Sequence, residues 1–175
     1  MQREFASLTP QEGLHVAIFI EQRNAELYRQ FSELFREFKD SESLEIASAF
    51  VDMAEEERNH GRQLQERYFE RFGASPCGVT EDEIRDFIEV PRLDDADLFA
   101  IVRSRATPAP RVKALEVAIE AERSALRFYG KLADITSDSK LRSFYLELAE
   151  FESDHVEFLE RKIEREKRTG RSDIA

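Results

Sequence analysis

Four long stretches of the chain place apolar residues at every third or fourth position, and this helical periodicity limits the fold more than any other feature. Only 6 Gly and 5 Pro occur among the 175 residues, so few breaks interrupt these stretches. The pattern predicts helices over about 10–39, 42–72, 110–135 and 139–167. We therefore expect one domain, 1–175, with the all-α architecture of an antiparallel four-helix bundle.

The segment between the second and third helices has a different character. Together with Pro110 it holds four of the five prolines, which predicts a long crossover over 73–109 with short helices only, near 80–89 and 94–103. Its apolar residues are expected to form a dimer surface or a cover over the bundle: Phe87, Ile88, Leu98, Phe99 and Ile101. The charged tail after Arg161 is expected to fray into solvent.

The two predicted hairpins resemble each other in sequence. Ala17–Glu21 aligns with Ala118–Glu122, and a tyrosine follows each of these segments two turns later, at Tyr28 and Tyr129. In the second helix of each hairpin, 53–60 aligns with 148–155. An internal duplication of a helix pair explains this repeat most simply.

One glutamate interrupts the apolar stripe of each helix near its middle. These residues are Glu21, Glu57, Glu122 and Glu152, and the second and fourth are followed on the same helix face by His60 and His155. Within each hairpin the two glutamates are nearly equidistant from the connecting turn. At about 1.5 Å of rise per residue, four carboxylates and two imidazoles should converge at one level of the core.

Such a cluster requires positive charge, because an unpaired buried carboxylate costs several kcal/mol. The stripes offer no Lys or Arg within a turn of these glutamates, whereas two divalent cations would balance four carboxylates. Oxygen and imidazole ligands favour iron or manganese, with zinc as an alternative. The single cysteine, Cys77, excludes a Cys-rich zinc or rubredoxin-type site within this sequence.

The overall charge and hydropathy exclude several classes of partner. Lys and Arg total 26 against 37 Asp and Glu, and the net charge of −11 disfavours nucleic acid and anionic membranes. The longest apolar run, 16–20, is too short to span a bilayer, and the first residues lack the apolar segment of a signal peptide, so none is expected. A cytoplasmic location is the expectation.

At this level of detail the motifs resemble a known family. One Glu on each of two helices plus Glu-x-x-His on each of the other two is similar to the ferritin-like di-iron carboxylate superfamily. The segments 54–60 and 118–129 resemble its rubrerythrin branch. The resemblance implies a ferritin-like bundle that holds two Fe ions, with Glu21 and His60 on one ion, Glu122 and His155 on the other, and Glu57 and Glu152 bridging both. It also implies that Tyr28 and Tyr129 hydrogen-bond the ligands and could donate electrons.

Two departures from the family are visible. Peroxidase rubrerythrins carry an additional glutamate three residues after the third-helix ligand, and Ala125 stands there in this chain. Typical rubrerythrins also have a rubredoxin domain with four cysteines, and no such domain occurs in this sequence. Electrons are therefore expected from a separate electron-donor protein or from the ferrous ions themselves.

The resemblance implies an oxidoreductase, of peroxidase or ferroxidase type, that oxidises Fe(II) with O2 or H2O2. Two alternatives stay open: a ferroxidase for iron storage or handling, and a bundle with a redox-inert metal and a structural or binding role. A homodimer or larger homo-oligomer is expected. Glu56 could orient a histidine, although its repeat counterpart, Phe151, argues against that role. Glu55, Glu120 and Glu150 point away from the stripes and are expected to be surface residues.

Overall fold

The protein is a bundle of long helices. The computed structural model describes residues 4–88 and 110–172, and the regular elements within these ranges are all helical. A 3₁₀ turn at Phe5–Ser7 precedes α1 (Pro10–Phe38), α2 (Ser41–Phe72), α3 (Glu81–Ile84), α4 (Pro110–Ile135) and α5 (Ser139–Ser172). The prediction of an all-α bundle is confirmed. None of the helices in the described part combines the length and apolar character needed to cross a membrane.

Local capping chemistry sets where the helices begin. Thr9 and Glu12 form a reciprocal capping box at the start of α1, with Pro10 in the first turn. Asp40 accepts a hydrogen bond from the Ser43 N–H at 2.8 Å and so begins α2 only two residues after α1 ends. This tight connection forces α1 and α2 to lie antiparallel as a hairpin.

The four long helices pack as two hairpins. α1 packs along α2 and α4 packs along α5, whereas the two hairpins meet mainly through α1 and α4. The core is divided into two apolar clusters. The first contains Ile20, Leu64, Ala125 and Leu148 among others, and the second contains Leu27, Ala54, Ala118 and Leu159 among others. Each long helix contributes to both clusters, so a layer between them crosses the whole bundle.

The described part of the crossover covers the bundle. α3 is shorter than the predicted 80–89 helix, and it is followed by Phe87, which packs on the first apolar cluster, and by Ile88, which is buried within it. For these two residues the structure shows a cover over the core. Leu98, Phe99, Ile101 and the predicted helix at 94–103 lie outside the described residues.

The fourth long helix differs from its prediction. We expected it to end near 167 and its charged tail to fray, but α5 continues through Gly170 to Ser172. Ion pairs tie this part of α5 to neighbouring helices: Lys162 and Arg165 contact Glu45 at 2.6 and 2.8 Å, and Glu166 contacts Arg111 at 2.6 Å. A glycine weakens a helix by about 1 kcal/mol without ending it, so Gly170 is compatible with a helix that continues to Ser172.

Candidate metal centre

The layer between the two apolar clusters contains the four predicted glutamates. Glu21 of α1, Glu57 of α2, Glu122 of α4 and Glu152 of α5 are all 0% exposed. Each lies on its helix between residues of the first and the second cluster, because a heptad-like stripe buries every member of the seam, polar or not. The structure therefore places one carboxylate from each long helix in the core.

The two histidines complete the layer. His60 is 5% exposed and His155 is 8% exposed. The His60 Nδ1 lies 3.5 Å from Glu21 Oε2, and the His155 Nδ1 lies 3.2 Å from Glu57 Oε1. The His155 Nδ1 also lies 3.6 Å from an oxygen of Glu122 and 3.6 Å from one of Glu152. The structure thus brings all six residues predicted as metal ligands into one cluster.

The six residues form two overlapping groups. In each group one ligand atom per residue lies within 4.8 Å of the others; the first is Glu21, Glu57, His60 and Glu152, and the second is Glu57, Glu122, Glu152 and His155. Glu57 and Glu152 belong to both groups. This arrangement has the form of two adjacent cation positions that share two carboxylates.

The unpaired atoms of the cluster test whether cations fit. Six side chains have buried atoms without a hydrogen-bond partner among the described residues. These atoms are Oε1 and Oε2 of Glu57 and of Glu152, Oε2 of Glu21 and of Glu122, and Nδ1 of His60 and of His155. In the same part of the chain, the ion-pair contacts of these carboxylates are with imidazoles and not with Lys or Arg. Buried acceptors without donors are costly, and cations would satisfy all of these atoms, so the donor set fits a pair of metal ions.

The pKa values show the same need for positive charge. Burial and the charges of Glu21 and Glu122 raise the pKa of Glu57 well above its usual value. Burial and the charges of Glu57 and Glu122 do the same for the pKa of Glu152. Burial acts to raise the pKa of Glu122 as well, but contacts with Glu152 and His155 outweigh it and lower that pKa. Burial would lower the pKa of His155, but its carboxylate neighbours, Glu122 first, raise it.

Two buried tyrosines connect the hairpins at the cluster. Tyr28 of α1 donates a hydrogen bond to Oε1 of Glu122 on α4, and Tyr129 of α4 donates one to Oε1 of Glu21 on α1. Burial, with the negative charge of these partners, raises the pKa of both phenols well above the usual value. Each tyrosine therefore occupies one oxygen of a carboxylate on the opposite hairpin and leaves the other oxygen to the cluster.

Comparisons with known proteins agree with this geometry. The rubrerythrin family model matches residues 12–93, the first hairpin and the start of the crossover. Over this matched part, the chain is similar to the rubrerythrin family. Its similarity to the rubrerythrin branch, expected from the motifs, is confirmed.

Two solved structures share the fold of this rubrerythrin-like protein. An uncharacterized conserved protein from Magnetospirillum magnetotacticum is 23% identical, with a TM-score of 0.69 over 90% of this chain and 95% of that chain. A hypothetical protein from Pyrococcus furiosus is 21% identical, with a TM-score of 0.70 over 94% of both chains. At these identities the likeness concerns the fold alone. No curated protein matches the chain.

The cluster opens to a cleft between α2 and α5. The cleft has a volume of about 690 Å³, and both histidines line it together with Glu56, Asn59, Phe151 and Asp154. α1 and α4 close the opposite side of the cluster, where the hairpins meet. A small molecule would therefore reach the cluster from the histidine side.

One contact at this cleft was only weakly expected from the sequence. The His155 Nε2 lies 2.7 Å from Glu56 Oε2, a hydrogen bond that joins α5 to α2. The sequence suggests Glu56 as an orienting partner of a histidine, although its repeat counterpart, Phe151, argues against that role. The position of α5 against α2 decides that the partner is His155.

Proposed function

We propose that this rubrerythrin-like protein is a dinuclear non-haem iron protein that oxidises Fe(II) with O2 or H2O2. The observation that carries the proposal is the set of buried oxygen and nitrogen atoms without hydrogen-bond partners among the described residues. When bound, two Fe(II) ions would supply two electrons, which together with two protons from solvent reduce one H2O2 to two waters or one O2 to H2O2.

The ligand roles follow the two overlapping groups. Glu21 and His60 would hold one ion, and Glu122 and His155 the other, while Glu57 and Glu152 would bridge them. The number of free oxygens supports this division, because the bridging glutamates each have two unpaired oxygens and the terminal ones each have one. The carboxylates would hold two cations, and the cleft would keep one side of the cluster accessible to the oxidant.

The tyrosines would keep the terminal carboxylates in place. With one oxygen fixed by a phenol of the opposite hairpin, Glu21 and Glu122 present the remaining oxygen in a defined direction. The phenols retain their protons because burial raises their pKa values. Tyr28 and Tyr129 are thus proposed as positioning residues and as the nearest protein groups able to donate an electron.

A specific observation favours the ferroxidase alternative. Ala125 is buried and apolar at the position where peroxidase rubrerythrins carry another glutamate, so the ligand set keeps only the six residues of the cluster. A ferroxidase would pass its oxidised iron onward, whereas a peroxidase would need repeated reduction by a separate electron-donor protein. The two activities differ in whether one loading of iron supports one oxidation or many.

Stopped-flow absorbance of protein loaded anaerobically with two Fe(II) per chain tests the proposal. Mixing with O2 or H2O2 should produce ferric absorption faster than free Fe(II) does, and repeated cycles with an added reductant would favour the peroxidase. Glu57→Ala and Glu152→Ala should each lose at least one metal per chain, because each removes a shared ligand. Glu55→Ala, the exposed neighbour on α2, is the control and should keep both metals. Two bound metals in both ligand variants would exclude the bridging roles, and a failure to accelerate oxidation with either O2 or H2O2 would exclude this function.

A further inference from the structure

The two halves of the cluster differ in what supports each histidine. Glu56 and Phe151 occupy corresponding positions in the internal repeat, each one residue before a bridging glutamate. Glu56 contacts the His155 Nε2 at 2.7 Å, whereas the Phe151 ring lies 5.0 Å from the His60 ring at an interplanar angle of 40°. Within residues 4–88 and 110–172, no carboxylate contacts the His60 Nε2. The two repeats therefore differ at this pair of positions.

A carboxylate and a phenyl ring have different effects on an imidazole ligand. With its Nε2–H donated to Glu56, His155 must present the lone pair of Nδ1 to the cluster, and the carboxylate makes that nitrogen a stronger base. A phenyl ring accepts no comparable hydrogen bond, so Phe151 leaves both the tautomer and the tilt of His60 less constrained. His155 is thus the better prepared of the two nitrogen ligands.

The two cation positions also differ in their protein surroundings. The His155 Nδ1 lies within 3.6 Å of three carboxylates, whereas the only carboxylate oxygen within 4.0 Å of the His60 Nδ1 among the described residues is Glu21 Oε2. Phe151 is 50% exposed and lines the cleft beside His60. The His60 side is therefore the more loosely arranged side.

We propose that Glu56 is a positioning residue that makes the two metal positions unequal. The Glu122/His155 position binds its cation first and more tightly, and the Glu21/His60 position binds second and exchanges its cation through the cleft. This inference rests on the proposed function, since it assumes that the cluster binds two cations. It assigns the inequality to one pair of residues, Glu56 and Phe151, and so can be reversed by substitution.

Single-site backgrounds separate the two positions. Glu21→Ala should leave the Glu122/His155 position, and Glu122→Ala should leave the Glu21/His60 position. Anaerobic titration with Co(II), followed by calorimetry and by the visible absorption of bound Co(II), measures each affinity. Adding Glu56→Ala should weaken Co(II) binding about 10–100-fold in the Glu21→Ala background and change its absorption band. The same substitution should leave affinity in the Glu122→Ala background nearly unchanged.

Two controls distinguish positioning from a change of net charge. Glu55→Ala removes the same charge from the adjacent residue of α2, without contacting a histidine, and should alter neither affinity. Glu56→Gln keeps a hydrogen-bond acceptor beside His155 and should restore part of the affinity lost in Glu56→Ala. Phe151→Glu supplies the missing carboxylate on the other half and should strengthen binding in the Glu122→Ala background. Glu56 is largely solvent-exposed, so its removal is not expected to affect folding.

The outcomes separate this inference from the proposed function. If the unmodified protein binds no Co(II) at the cluster, the proposed function itself fails. If it binds two ions but Glu56→Ala weakens both positions equally, weakens neither, or acts no differently from Glu55→Ala, then Glu56 does not set the inequality. Selective loss at the Glu122/His155 position, with partial rescue by Glu56→Gln, would establish the positioning role.

Discussion

At the level of single residues, the carboxylate oxygens of the cluster differ in whether they accept a hydrogen bond, and the proposed function depends on this difference. Oε1 of Glu21 and Oε1 of Glu122 each accept a phenol hydrogen bond, whereas Glu57 and Glu152 have no hydrogen-bond donor among the described residues. A buried carboxylate without a donor is unstable. The tyrosines therefore satisfy the terminal glutamates in part, and the two shared glutamates depend on cations or protons.

Removal of a tyrosine hydroxyl should destabilise the folded protein when that hydroxyl donates a hydrogen bond. Tyr28→Phe and Tyr129→Phe should each lower the free energy of unfolding by about 1–3 kcal/mol, because each leaves a buried carboxylate oxygen without its donor. Urea denaturation followed by circular dichroism measures this loss.

Tyr145→Phe is the matched control. The Tyr145 hydroxyl is buried and has no hydrogen-bond partner among the described residues, so its removal should be neutral or stabilising. Equal losses in all three phenylalanine variants would show that the contacts with Glu122 and Glu21 contribute nothing specific.

At the level of helices, the caps and turns fix the depth at which each glutamate lies. The side chain of Asp138 accepts a hydrogen bond from the Leu141 N–H at 2.9 Å near the start of α5. It also pairs with Arg71 at the end of α2, at 2.9 Å. Asp138 therefore connects the start of α5 to the end of α2, on the opposite hairpin. One carboxylate thus both stabilises the start of α5 and holds the two hairpins together.

Acid should release this contact within a defined pH range. The Arg71 guanidinium, with the backbone N–H of Leu141, lowers the pKa of Asp138 to about 2. Because the folded pKa lies below the unfolded value of about 3.9, the stabilisation is present above pH of about 4 and is lost as the pH falls toward 2. Carbon-detected NMR titration of the Asp138 carboxyl measures this pKa. Arg71→Gln should raise it toward the ordinary value, and an unchanged pKa would contradict the assignment to Arg71.

Two glycines at different backbone conformations should respond oppositely to alanine. Gly130 lies within α4, and an added Cβ would meet nothing within 4 Å among the described residues, so Gly130→Ala should raise stability by about 1 kcal/mol. Gly73 caps α2 with φ of 61° and ψ of −144°, a conformation that L side chains rarely adopt. Gly73→Ala should therefore destabilise the protein. Thermal denaturation of both variants tests the pair, and stabilisation by Gly73→Ala would contradict the observed backbone.

At the scale of the whole molecule, the polar layer joins both hairpins at their common centre. Each long helix contributes one glutamate to it, and the two apolar clusters lie on either side. Contacts between hairpins run mainly through α1 and α4, while α2 and α5 are separated by the cleft. Cations in this layer would therefore cross-link four helices whose direct packing is strong only within each hairpin.

Metal removal should accordingly lower the melting temperature. Ligand that binds only the folded state stabilises it by about 2.7 kcal/mol at a free concentration of 100 times Kd, so added Co(II) should raise Tm and a chelator should reverse the gain. Calorimetry of the unmodified protein and of Glu152→Gln makes the comparison. Glu152→Gln should lose most of the Co(II)-dependent gain, and equal gains in both proteins would show that the cation binds elsewhere.

The sequence by itself determined the helices, most of their ends and the level of the four glutamates. Capping pairs such as Thr9 and Glu12, and the three-to-four-residue periodicity, are local properties that need no knowledge of distant parts of the chain. The repeat added the correspondence between hairpins. These features sufficed to predict the bundle and to bring six candidate ligands together.

Only the tertiary structure decided which groups meet across the hairpins. The hydrogen bonds of Tyr28 and Tyr129 to glutamates of the opposite hairpin, the pairing of Glu56 with His155, and the cleft between α2 and α5 all depend on how one hairpin lies against the other. That placement results from side-chain packing between residues far apart in sequence. Local propensity and periodicity depend only on neighbouring residues, so they cannot predict this placement.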